Sequence, residues 1–66
     1  MLNNFKKARL IAGLTQEELA DSLGVSRTTV GKWESGHGLP RAKRMREVAN
    51  ALGTTTAELL KEERAV

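Results

Sequence analysis

The chain has 66 residues, with 11 Lys and Arg against 8 Asp and Glu, one histidine and no cysteine, for a net charge of +3. A chain of that length makes one domain that buries only about 60% of its unfolded surface, and without cysteine it has no disulfide or thiolate metal site. One histidine and one aspartate supply no catalytic triad or metal cage, and the longest apolar candidate, "LIAGL", is far short of the ~20 residues of a membrane span.

The elements read as five short helices and no strand, an all-α chain. The first spans about residues 4–12, where Phe5, Ala8 and Ala12 fall on one face and Gly13 ends the run. The second opens at Thr15, which forms a capping box with Glu18, while Leu14 and Leu19 make a hydrophobic staple. Its buried face is Leu19, Ala20 and Leu23, and Gly24 stops it. Ser26 is a good N-cap for the third helix, with Val25 and Val30 as a second staple and Ser35-Gly36 as its end. The loop "GHGLP" follows, then a helix over about 41–52 with the stripe Met45, Val48, Ala49 and Leu52. A second capping box, Thr55 with Glu58, opens the fifth helix, and the tail 61–66 is expected to fray.

The charge is unevenly spread. Residues 1–14 carry +3, residues 15–23 carry −3, residues 24–46 carry +5 and residues 47–66 carry −2. The basic block surrounds the third helix and the segment after it. Such a block is either the electrostatic footprint of a nucleic-acid surface or a solvated face. On a helical wheel, Val30, Trp33 and Glu34 share one side of the third helix. Arg27, Thr28, Gly31, Lys32 and Ser35 share the other. Gly31 costs the helix roughly 1 kcal/mol against alanine. It is either a tolerated surface glycine or a place where backbone approaches a partner closely. A helix, the tight break "LGVS" and a second helix have the spacing of a helix-turn-helix, whose second helix enters the DNA major groove.

"LTQEELADSLGVSRTTVGKWESG", with "KKARL" before it and "ANALGTTTAELL" after it, resembles the phage repressor and Cro (XRE-like, lambda-repressor-like) helix-turn-helix family. The resemblance runs from about Phe5 to Leu60. It implies a five-helix repressor-like domain over residues 1–66, with the helix-turn-helix at about 15–35. It also implies sequence-specific binding to a double-stranded DNA operator, usually as a homodimer on an inverted repeat, in the cytoplasm of a prokaryotic or phage-infected cell. No enzymatic activity, cofactor, metal or membrane contact is expected.

The resemblance places base-reading residues at Arg27, Thr28, Gly31 and Lys32. Arg27 has the donors to engage guanine O6 and N7, Lys32 reaches the same edge, and Thr28 offers a hydroxyl and a methyl. Relatives often carry glutamines there, so the resemblance implies the docking and not the operator sequence. Gln16, at the first turn of the second helix, matches a glutamine that clamps the DNA backbone, where free N–H groups favour phosphate. Thr29, Ser35, Arg41, Lys43 and Arg44 are further phosphate candidates, and His37 reads as a loop histidine. The family also pairs an arginine of the first helix with a glutamate ending the third. Arg9 and Glu34 occupy those positions, and Trp33 reads as core.

Leu39, Leu59 and Leu60 are dimer candidates or else close the core. Glu17, Glu18 and Asp21 form an acidic surface that is solvated or meets RNA polymerase, as in some relatives. Relief of binding is expected to come from synthesis, degradation or a protein antagonist covering the DNA face. The alternative function is a protein-interaction module of the same fold, an antitoxin or adaptor.

Overall fold

In the computed structural model, which describes residues 3–61, every regular element is a helix. These are α1 (Phe5–Ile11), α2 (Gln16–Leu23), α3 (Arg27–Ser35), α4 (Ala42–Leu52) and α5 (Thr56–Leu60). Helix α2 packs against α3 and α4, α1 against α3 and α5, and α5 closes on α4. The shared core is Phe5, Leu19, Ala20, Val30, Trp33, Met45, Val48, Ala49, Leu52 and Leu59, flanked by Ala8, Leu14, Leu23 and Val25. The Phe5 and Trp33 rings meet with centroids 6.1 Å apart and tilted by 41°, inside the range of favourable aromatic pairs.

Local chemistry sets the boundaries. Thr15 has extended backbone; its Oγ1 accepts from Glu18 N at 3.0 Å, and Thr15 N donates to Glu18 Oε1 at 2.8 Å. Both arms of the capping box are therefore made at the start of α2. At α5 only one arm is made, with Thr55 Oγ1 accepting from Glu58 N at 3.2 Å. There Asn4 does the joining: its N donates to Leu59 O at 3.1 Å and its Nδ2 to Glu58 O at 3.1 Å, tying the start of α1 to α5. Gly24 ends α2 at φ 70°, a left-handed conformation that L side chains strain to adopt. Ser26 then caps α3, its Oγ accepting from Thr29 N at 3.2 Å. Together these make the short turn that sets α3 against α2.

The capping box has a consequence in acid. The hydrogen bonds from Thr15, backbone first and side chain second, hold the Glu18 carboxyl below its ordinary value of about 4.5. Because the folded value is depressed, this stabilisation is present above the unfolded value and is lost as pH falls through the folded one. We expect the urea midpoint of the wild type to drop more between about pH 6 and pH 3 than that of Glu18→Gln, whose uncharged amide still caps. Equal drops in the two proteins would contradict this.

Three expectations are corrected. Ala12 is exposed, and the buried face of α1 is Phe5 and Arg9 with Ala8 half-buried. The helix is seven residues long and stops at Ile11, so Ala12 is its C-cap and lies beyond the helical stripe. Leu10 and Ile11, in the same turn as the buried Arg9, are 58% and 77% exposed. Leu59 is fully buried and closes the core rather than facing a partner, whereas Leu60 (46%) and Leu39 (55%) are exposed. The second capping box is the half-box already described. Of the tail expected to fray, residues 62–66 lie outside the described residues. Among the described residues, no helix is long and apolar enough to cross a membrane.

Candidate nucleic-acid interface

Helix α3 is held from its inner face. Val30, Trp33 and Glu34 are buried, and Asn3 Nδ2 donates to Trp33 O at 2.8 Å. Arg9 Nε donates to Glu34 Oε2 at 2.5 Å, Arg9 Nη2 to Glu34 Oε1 at 3.2 Å and Arg9 Nη1 to Leu14 O at 2.8 Å. This forked pair ties α1, the turn before α2 and the end of α3 together. Arg9 and Glu34 are 7% and 9% exposed, so the attraction acts where water screens it little.

The opposite face is open. Arg27, Thr28, Lys32 and Ser35 are exposed, and Gly31 is half-buried. Among the described residues, no hydrogen bond or ion pair engages the side chains of Arg27, Thr28 or Lys32. Two cations thus stand five residues apart on the helix with their donors unused. The first turn of α2 borders the same face: Arg27 lines a concavity with Thr15, Gln16 and Glu17. Gln16 is half-buried and turns inward, its Nε2 donating to Glu34 Oε1 at 3.1 Å.

Gly31 lies beneath Gln16. A β-carbon added there would meet only Gln16 Nε2, at 4.0 Å, an ordinary van der Waals distance. The free protein therefore has room for alanine, which would remove the helix penalty of roughly 1 kcal/mol. Gly31→Ala is expected to raise Tm by roughly 4–8 °C, the shift that 1 kcal/mol gives in so small a domain. If the bare backbone serves close approach, the same variant binds DNA more weakly. Melting curves and gel-shift titrations read both effects, and unchanged DNA affinity would show that Gly31 has no part in contact.

The phosphate candidates separate by their partners. Thr29 Oγ1 shares a hydrogen bond with Ser26 Oγ at 2.9 Å at the N-terminus of α3. Ser35 Oγ donates to Lys32 O at 3.2 Å and lies 2.8 Å from His37 Nδ1, so His37 is ordered against the end of α3. Arg41 and Lys43 are exposed at the start of α4. Arg44 is committed elsewhere: its Nη1 donates to Leu23 O at 2.7 Å and pairs with Glu47 Oε1 at 3.1 Å. It satisfies a carbonyl at the end of α2 that the helix leaves without an N–H. Neither this bridge nor the Gln16–Glu34 bond is visible in the sequence, because no local pattern marks a contact between residues 18 or 21 positions apart.

A short glycine turn between two helices, with the second buried on one side and bare on the other, defines a helix-turn-helix domain inside a five-helix repressor-like fold. The chain belongs to the helix-turn-helix family, which matches residues 5–59. It is 43% identical over 53 residues to the HTH-type transcriptional activator BcrR of Enterococcus faecalis, covering 80% of this chain and 26% of that protein. It is 41% identical over 56 residues to the SPbeta prophage-derived HTH-type transcriptional regulator YonR of Bacillus subtilis, covering 85% of this chain and 52% of that protein. It is also 42% identical over 45 residues to the cryptic phage CTXphi transcriptional repressor RstR of Vibrio cholerae, covering 68% of this chain and 40% of that protein. The chain thus spans between about a quarter and a half of the length of these relatives. All three are named as transcriptional regulators.

Proposed function

We propose that the chain binds double-stranded DNA in a sequence-specific way and regulates transcription, with α3 lying in the major groove. The observation that carries this reading is the exposed, unengaged row Arg27, Thr28 and Lys32 on a helix fixed from behind by Arg9 and Glu34. An extended guanidinium makes two parallel hydrogen bonds to guanine O6 and N7, and an ammonium reaches the same acceptors. Thr28 supplies a hydroxyl and a methyl for the neighbouring base. Gly31 lets the helix backbone sit close to the groove floor. Gln16, Thr29, Ser35, Arg41 and Lys43 surround this row as phosphate contacts, which add affinity and register but no sequence information. Arg44, held at Leu23 O, is the weakest member of that set.

One such domain covers one half-site. A homodimer on an inverted repeat, with recognition helices about 34–36 Å apart, gives the affinity that one half-site lacks. Leu60 and Leu39 are the exposed apolar residues available to it among the sequence candidates. The relatives include an activator and a repressor by name, and the proposed DNA face is compatible with either outcome. A protein antagonist covering the cationic row would release the DNA, and the domain works in the cytoplasm, where that DNA is.

Selection of bound sites from random duplex DNA at two salt concentrations tests the reading. An inverted-repeat consensus whose affinity falls steeply as salt rises is the expected result. Absence of any enrichment would instead favour the interaction module.

A further inference from the structure

Glu34 does more than pair with Arg9. Its Oε1 takes two donors, Arg9 Nη2 at 3.2 Å and Gln16 Nε2 at 3.1 Å, while Oε2 takes Arg9 Nε. A carboxylate facing a guanidinium is ionised and can only accept. The Gln16 amide must therefore present Nε2 inward, and its orientation is dictated by chemistry rather than left to a free flip. One amide N–H is used on Glu34. The other N–H and Oε1 remain for the outer surface, in the concavity that Gln16 shares with Arg27. Gly31 lies next to this amide, and a β-carbon there would stand 4.0 Å from Nε2 without displacing it.

Resting on the DNA reading above, we propose that Glu34 is a positioning residue for DNA recognition. Its carboxylate, clamped by Arg9, holds the Gln16 amide so that the second N–H is aimed at a phosphate before DNA arrives. A free glutamine at a helix start samples many rotamers, and ordering it on binding would weaken the contact. Here the ordering is part of folding. The same buried pair that sets α3 against α1 thus also sets the backbone clamp beside the reading helix. Strand register and base reading are thereby referred to a single fixed point in the core.

The test needs Glu34 removed without unfolding the domain. Arg9→Met with Glu34→Met replaces the buried pair by apolar side chains of similar size, a change that is often neutral or stabilising. Circular dichroism checks the fold, and duplex affinity is then measured for the wild type, Gln16→Ala, the Met pair and the combination of all three. Gln16→Ala is expected to weaken binding roughly tenfold, as loss of one hydrogen bond to a charged group does. The Met pair should weaken it by about the same factor, and the combination should lose nothing further. A Met pair that binds as the wild type does, or losses that multiply in the combination, would overturn the proposal.

A measurement on the wild type alone covers the case in which the Met pair fails to fold. DNA should move the outward Nε2 proton of Gln16 in the nuclear magnetic resonance spectrum and leave the Glu34-bonded proton in place. If both protons move together, the tether is broken on binding and the proposal fails. If the wild type binds no duplex at all, the DNA reading itself falls. Binding with additive losses removes only the positioning role.

Discussion

Glu34→Ala is expected to cost about 3–5 kcal/mol of folding free energy, because it leaves the Arg9 guanidinium buried without its counter-charge. A domain of this size has roughly 3–10 kcal/mol in total, so the variant should be largely or wholly unfolded at 37 °C. The expectation rests on geometry: Arg9 and Glu34 are each at most 9% exposed and are joined by two hydrogen bonds, with a third from Arg9 to Leu14 O. Arg9→Ala should do similar damage by stranding the carboxylate and freeing Leu14 O. Replacing both residues by methionine should return most of the stability, since neither charge is then left alone. Urea denaturation of the wild type, Arg9→Met, Glu34→Met and the Met pair checks this as a double-mutant cycle. Additive losses in the double variant would mean that the two side chains do not depend on each other.

The second large effect falls on binding rather than folding. Arg27→Ala is expected to cost about 1–3 kcal/mol, or roughly 5- to 150-fold, on the specific site, with little loss on unrelated duplex. The side chain is exposed and holds no partner among the described residues, so its removal leaves the fold untouched. Discrimination should relax at one base pair of each half-site and nowhere else. An equal loss on specific and random duplex would make Arg27 a phosphate contact instead. No loss on either would favour the interaction module.

Much of this was legible in the sequence, for reasons that differ by element. The starts of α2 and α3 lie where Thr15 and Ser26 cap them, because capping is chemistry between residues three apart. The two faces of α3 follow from helical periodicity, which places Val30, Trp33 and Glu34 on the same side whatever surrounds them. What stayed hidden depends on the third dimension. Leu59 and Leu60 are neighbours of equal hydrophobicity, and only the docking of α5, fixed by Asn4, buries one and exposes the other. Ala12 continues the apolar stripe of α1 on paper, yet the helix stops one residue before it. Arg44 reads as one more cation in a basic block, and only the position of the α2 terminus turns it into a cap for Leu23 O. Gln16 likewise reads as a surface clamp, and its tether to Glu34 needs α3 beside it.

Methylation interference on the selected operator tests the central claim most directly, because it asks which groove α3 enters and what it reads there. A methyl group on guanine N7 occupies the major-groove acceptor that a guanidinium would use, whereas one on adenine N3 lies in the minor groove. Interference at a guanine N7 in each half-site, absent for Arg27→Ala, is the predicted result. Interference confined to adenine N3, or an identical guanine pattern for the wild type and Arg27→Ala, would contradict it.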